Sequence, residues 1–169
     1  MHPPVASPVA RLRLEQLEAR EVPALTVVVD YSLDLRAHGG SGFFEDHADA
    51  RAVLNRVARE MSLRVSADFA AINPGAGNTW TAYFYHPATG VTTSVANRPV
   101  AADTIVIYAG ARAMPGGAAA EGGFGGYGWS GTSAWGNRVA TRGASGFSLW
   151  GGSLSFDTTE NWHFGLSTE

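Results

Sequence analysis

The stretch Ala102-Asp-Thr-Ile-Val-Ile-Tyr-Ala109 decides the fold of this chain. Its apolar, largely β-branched residues follow one another without polar alternation, which is typical of a strand covered on both faces. We therefore expect it to be the central strand of a sheet. Residues 24–34 contain a similar apolar run that ends in alternation, so they predict a second strand.

One long helix is predicted between these two strands, from about residue 46 to residue 70. Apolar residues recur at the spacing expected for one face of an amphipathic helix: Val53, Val57 and Met61, flanked by Leu54, Ala58 and Val65. The segment Asn-Pro-Gly-Ala-Gly-Asn at residues 73–78 is expected to end this helix, because Pro and Gly favour turns.

The rest of the chain predicts a mostly β structure. Residues 79–95 predict a hairpin, residues 135–142 a short helix and residues 147–156 the last strand. Residues 110–131 are rich in Gly and Ala and predict a long loop. The expected fold class is α+β (mixed α/β): a twisted, mostly β sheet with one long helix packed on it and a Gly-rich loop.

The composition excludes several kinds of chemistry. The chain has 169 residues, a mass of 17.8 kDa and 45% hydrophobic residues, which suits one folded domain. It contains no cysteine and no lysine, which excludes disulfides, thiolate zinc sites and lysine Schiff bases. A net charge of −3 and a pI of about 5.9 argue against nucleic acid as a partner. No apolar run reaches the length of a transmembrane segment.

Histidines, glycines and tryptophans give no specific catalytic motif. No H-E-x-x-H is formed by the histidines, for which surface or partly buried positions are favoured: His2, His38, His47, His86 and His163. The glycines of residues 122–128 lack the strand-turn-helix context of a phosphate-binding loop and predict a flexible loop. Four tryptophans are candidates for a platform that stacks on sugars or peptides, although core and loop-anchoring roles are favoured: Trp129, Trp135, Trp150 and Trp162.

Two carboxylates just beyond the last predicted strand are the candidate metal ligands. Asp157 and Glu160 lie three residues apart in a turn, where carboxylate and backbone oxygens suit a hard cation. The alternative is a solvated turn in which Asp157 caps local amides. The residues alone favour the turn.

A family resemblance appears at this segment. Gly151-Gly-Ser-Leu-Ser-Phe-Asp-Thr-Thr-Glu-Asn-Trp162 resembles the Gly-Gly-x-x-His-Phe-Asp-x-x-Glu-x-Trp segment of matrixin-type metzincin zinc endopeptidases. The resemblance implies that residues 25–169 form the N-terminal subdomain of a zincin, with an added hairpin like that of exported bacterial relatives. It also implies that Asp157 and Glu160 bind structural calcium.

The chain departs from the family pattern in two places. Ser155 stands where matrixins have a histidine that binds a second, structural zinc, so the resemblance does not extend to that zinc. The family's catalytic zinc is held by H-E-x-x-H-x-x-G-x-x-H on the following helix, and the sequence ends at Glu169 before such a helix. We therefore expect no catalytic residues here and no activity from this chain alone. The resemblance implies that catalytic zinc and a peptide or protein substrate belong to a longer enzyme.

A sorting leader is predicted at residues 1–24. Leu14-Glu-Gln-Leu-Glu-Ala-Arg-Glu-Val-Pro-Ala24 resembles the Leu-Glu-x-Arg-x-x-Pro-Ala leader of many bacterial exported and surface proteins. The resemblance implies export to the extracellular space or the cell surface. A disordered tail is the alternative.

Two interpretations of the function remain open at this level. The chain is either the non-catalytic upper half of a secreted zinc-dependent endopeptidase or an exported non-enzymatic surface module that binds carbohydrate or protein. One helix can cover only one face of a sheet, so an exposed second face predicts that the isolated chain self-associates.

Overall fold

The computed structural model describes residues 24–34, 41–143 and 150–165. The elements within these ranges are β1 (Thr26–Asp30), α1 (Phe43–Asp46), α2 (Ala48–Arg64), β2 (Thr79–Tyr85), β3 (Thr92–Ala96), β4 (Thr104–Arg112), β5 (Ala120–Phe124), β6 (Gly126–Ser130), α3 (Ser133–Thr141) and β7 (Gly151–Asp157). The protein is mixed α/β and mostly strands, as its sequence predicts. Nearly all of the predicted leader, residues 1–23, lies outside the described ranges.

A four-stranded sheet with the order β1-β4-β7-β5 forms the centre of the protein. β4 pairs in parallel with β1 on one side and with β7 on the other, which confirms the central strand predicted from its apolar run. β5 joins the far side of β7 in the antiparallel direction. Among the described strands, β5 is therefore an antiparallel strand at one edge of the sheet.

A second, three-stranded sheet corrects the expectation of a single sheet. The predicted hairpin is confirmed as β2 and β3, and β6 pairs antiparallel with the other side of β2. The alternation along β2 sends its buried side chains toward the four-stranded sheet. The core between the sheets contains Trp80, Phe84, Val106, Tyr108 and Trp150.

The long helix is shorter than predicted and is not alone. α2 ends at Arg64, because Val65 is extended and its carbonyl accepts the backbone N–H of Leu25 at 2.9 Å. The hydrogen bond between Val65 and Leu25, just before β1, therefore takes the place of a further turn of α2. The prediction of helix to residue 70 is wrong, while α3 confirms the short helix expected near residues 135–142.

α2 packs on the four-stranded sheet through only part of the predicted apolar stripe. Ala50 and Ala58 are buried, and Ser62 Oγ accepts the N–H of Val27 in β1 at 3.1 Å. Val57 and Met61, which the sequence places on the buried stripe, are each 48% exposed. The described residues therefore leave part of the predicted apolar stripe uncovered.

The predicted glycine-rich loop contains two strands, β5 and β6, so the loop interpretation of residues 122–128 is wrong. Only Gly125 separates the two strands. A Cβ placed on Gly125 would overlap Trp150 Cζ2, so only glycine lets the chain pass this indole. Glycine at this position allows the backbone to approach the indole closely and does not serve flexibility. A glycine-rich composition alone cannot distinguish these two roles.

The face of the four-stranded sheet opposite α2 is not open, contrary to expectation. The three-stranded sheet and Val139 of α3 cover it. The uncovered apolar surface lies instead beside α2, on the helix's own side of the sheet. None of the described helices is long and apolar enough to cross a membrane.

Candidate functional site

The edge strand β5 presents its backbone outward. Ala119 and Gly125 bond to β7, since the N–H of Asp157 reaches the carbonyl of Ala119 and the N–H of Gly125 reaches the carbonyl of Gly151. In an antiparallel ladder the bonded pairs alternate, so the backbone groups of Ala120 and Gly122 point away from β7. Residues Ala120–Phe124 are all exposed. The sheet therefore offers a short template for another strand.

An apolar groove of about 350 Å³ runs beside this edge, between α2 and the sheet. Val57 and Met61 of α2 form one wall, and Phe124 and Leu154 lie on the opposite side. Gly122 is the position on β5 where a Cβ would strike Leu154 Cδ2, at 2.6 Å. Side chains that alternate along an added strand could enter this groove on every second residue.

Asp157 is a buried hydrogen-bond acceptor at the end of β7. Its Oδ1 accepts the N–H and hydroxyl of Thr159, each at 2.9 Å, and the N–H of Met114 at 3.3 Å. The backbone hydrogen bond from Thr159 is the main reason why the pKa of Asp157 is lowered. The amide-capping alternative describes these contacts, although the carboxylate is buried rather than solvated.

The calcium prediction for Asp157 and Glu160 is not supported by a complete ligand set. Three donors already bond to Asp157 Oδ1, and Glu160 is exposed. Ser155, at the matrixin histidine position, donates its hydroxyl to the carbonyl of Pro87 at 2.8 Å. The calcium role therefore stays a prediction.

A zinc site is not formed by the residues that the structure describes. No three His, Asp or Glu side chains converge within those ranges. Burial lowers the pKa of His86, whose Nδ1 accepts the N–H of Ala88 at 3.2 Å. His2 and His38 lie outside the described ranges.

The tryptophans are mainly structural. Trp135 and Trp150 are buried, and their indole N–H groups donate to the carbonyls of Thr79 and Gly126 at 2.8 and 2.9 Å. Trp129 is half-exposed, but its ring lies against Gly136 of α3. Trp162 donates to the carbonyl of Asp157 at 2.7 Å. The favoured core and anchoring roles account for these contacts.

Two buried charged residues were missed by sequence reasoning. Asp34 accepts the N–H of Phe44 at 2.6 Å and that of Ala111 at 3.2 Å, and burial raises its pKa.

Arg142 follows α3 and is fully buried. Its guanidinium donates to three backbone carbonyls: those of Ala70, Ala101 and Thr104. Neither Asp34 nor Arg142 lies in a recognisable sequence motif, so only their burial in the structure identifies them.

Comparisons with protein-family models, with curated proteins and with solved structures find no match to this chain. The matrixin-type interpretation rests on the residues of the chain alone and stays a prediction.

Proposed function

We propose that this chain is the substrate-binding half of an exported zinc-dependent endopeptidase and that it binds extended peptides at β5. The observation that carries the proposal is the exposed antiparallel edge strand with an apolar groove at its side. The sorting-leader resemblance at residues 14–24 supports export.

The main chain of a bound peptide would supply affinity without sequence preference. The outward N–H and carbonyl of Ala120 and Gly122 can each pair with an added strand. Gly122 and Gly123 carry no side chains, so the middle of β5 offers a bound peptide its backbone groups alone.

The groove would supply specificity. Its lining is almost wholly apolar, so leucine-like or aromatic side chains of the peptide are expected to fill it. The half-exposed Val57 and Met61 of α2 would gain a partner in this way. A bound peptide would therefore cover the apolar side chains that are exposed in the free protein.

Hydrolysis is not assigned to the described residues. No three side chains that suit zinc converge within the described ranges, so the zinc ligands would come from the longer enzyme that the resemblance implies. A catalytic zinc supplies an activated water when it is bound in such an enzyme. The contribution of this chain is to hold the peptide extended.

Peptide binding by the chain itself tests the proposal. A fluorescein-labelled hexapeptide of alternating leucine and serine is titrated with the protein and followed by fluorescence anisotropy. Met61→Asp places a carboxylate in the groove and is expected to weaken binding by about tenfold or more. Ala120→Pro removes an outward N–H at the start of β5 and is expected to weaken binding as well.

Leu63→Asp is the matched control. Leu63 also lies on α2 and is 79% exposed, but it does not line the groove. Unchanged binding in this variant, with loss in Met61→Asp, locates the peptide in the groove. Absence of saturable binding to the unsubstituted chain would reject the proposal.

A further inference from the structure

The outer face of the three-stranded sheet is an uncharged surface built around two tyrosines. Tyr83 and Tyr85 of β2 point away from the core and are 46% and 68% exposed. Directly opposed residues share a face of a sheet. The residues of β3 and β6 that lie opposite the outward residues of β2 are therefore on the same face as the two tyrosines. The remaining positions on this face are Thr79, Thr81, Thr92, Ser94, Ala96, Gly126, Gly128 and Ser130.

None of these strand positions carries a charged side chain, although the chain as a whole has twelve arginines and fifteen acidic residues. The polar groups of these positions are instead the hydroxyls of Thr, Ser and Tyr. The strands of this face therefore provide no electrostatic basis for attracting an anion or a cation.

The ring of Tyr83 lies across the neighbouring strand. A Cβ placed on Gly128 would stand 3.2 Å from Tyr83 Cε2 and 3.5 Å from the tyrosine hydroxyl oxygen. Glycine at this position lets the ring pack down on the backbone of β6. One side of the ring is thus supported by the sheet, while its exposure leaves surface open to a ligand.

We propose that this face binds a neutral, extended polysaccharide by stacking sugar rings on Tyr83 and Tyr85. Aromatic faces carry partial negative charge and attract the C–H groups of a pyranose ring. The two tyrosines are about 7 Å apart along the strand, so neighbouring sugars of one chain can meet both. The flanking hydroxyls can bond to sugar hydroxyls, as a few placed polar groups do in other binding sites.

Charge separates this ligand from other partners of aromatic platforms. Single-stranded nucleic acid also stacks on exposed rings, but its binding depends on cations beside the rings, and the strand positions of this face supply none. Arg112 lies near Tyr85, beside the face, and is paired with Glu121. Acidic glycans are disfavoured for the same reason.

The tyrosine face differs from both earlier candidate surfaces. The four tryptophans that were the alternative candidates for a stacking platform are not part of it. It also shares no residue with β5 or with the apolar groove. Tyr85 does line a neighbouring cavity with Gly122 and Phe124 of β5, so peptide binding is measured in Tyr85→Ala in parallel with sugar binding.

Affinity electrophoresis in barley β-glucan, with calorimetry on cellohexaose and chitohexaose, tests the inference. We expect at least one of these neutral probes to bind. Tyr85→Ala should weaken that binding by roughly fivefold to tenfold, and Tyr85→Trp should preserve it. Tyr83→Ala should act in the same direction. Because Tyr83 also packs on Gly128, the melting temperature of Tyr83→Ala is measured in parallel. If that variant is unfolded, the Tyr85 variants alone decide the test.

Tyr127→Ala is the matched control, since Tyr127 is 42% exposed but lies on the other face of β6. Its binding should remain within twofold of the unsubstituted protein. Heparin and oligo(dT) should not bind. Failure of all three neutral probes, an equal loss in Tyr127→Ala, or binding of heparin or oligo(dT) lost in Tyr85→Ala would each overturn the inference.

Discussion

Gly125 lies directly against the indole of Trp150, with no room for a Cβ between them. The chain leaves the four-stranded sheet and enters the three-stranded sheet at this glycine. The indole N–H of Trp150 donates to the carbonyl of the next residue, Gly126, at 2.9 Å. One tryptophan therefore fixes both the path of the chain and the position of the edge strand β5.

Gly125→Ala is expected to destabilise the protein by about 1–3 kcal/mol, the usual cost of overpacking a core. The added methyl group must displace either the indole or the backbone. Urea denaturation measures the change. Gly123→Ala is the control, because its Cβ meets no atom within 4 Å and should change stability by less than about 0.5 kcal/mol. Equal effects of the two substitutions would contradict the packing argument.

Arg142→Leu is expected to cost about 3 kcal/mol or more, because it leaves the carbonyls of Ala70, Ala101 and Thr104 without their guanidinium donors. Chemical denaturation of the purified variant provides the measurement. Arg138→Leu, at an exposed position of the preceding helix α3, should stay within about 0.5 kcal/mol of the parent. A mild effect at Arg142 would show that the three bonds contribute little.

The sequence predicts those elements whose own residues carry a clear pattern. Alternation along Thr79–Tyr85 predicts β2, and the apolar run around Ile105 predicts β4. The end of α2 could not be predicted, because it depends on the distant N–H of Leu25. β5 and β6 were missed because glycine has low strand propensity and only Trp150 explains its presence.

The candidate site was predicted less well than the fold. Asp157 was found from its local turn, and its amide-capping role could be stated in advance. The sequence does not predict the groove, because the apolar stripe that contains Val57 and Met61 indicates a core position, whereas both are half-exposed. A helical stripe shows that a surface is apolar but not whether anything covers it.

Asp157 should give the protein part of its resistance to acid. Its pKa is lowered in the folded state, so its stabilising effect is present above the ordinary aspartate pKa of about 4 and is lost as the pH falls through the lowered value. Asp157→Asn should therefore flatten the acid side of a plot of Tm against pH. A plot that keeps its acid slope would contradict this assignment.

Asp34 provides the contrast for that experiment. Burial raises its pKa, so the folded state holds the proton more tightly than the unfolded chain. Its contribution to stability must then decrease as the pH rises from about 4 through the raised value. The Asp34→Asn variant should lose a slope of the opposite sign.

The calcium prediction has a direct test in thermal unfolding. If Asp157 and Glu160 bind Ca²⁺, millimolar Ca²⁺ raises Tm and chelation reverses the rise. Glu160→Gln is the informative variant, because Glu160 is exposed and its replacement leaves the hydrogen bonds of Asp157 intact. A rise that Glu160→Gln abolishes supports the prediction, and an unchanged Tm in the parent protein rejects it.

Amide hydrogen exchange of β5, measured by NMR with and without the leucine–serine hexapeptide, tests the central claim most directly. The register directs the N–H of Gly122 outward and that of Gly123 toward β7. Strand addition therefore predicts that the Gly122 amide becomes protected when peptide is added, while protection of Gly123 stays nearly the same. An unprotected Gly122 amide in the peptide-saturated protein would contradict the claim that β5 binds extended peptides.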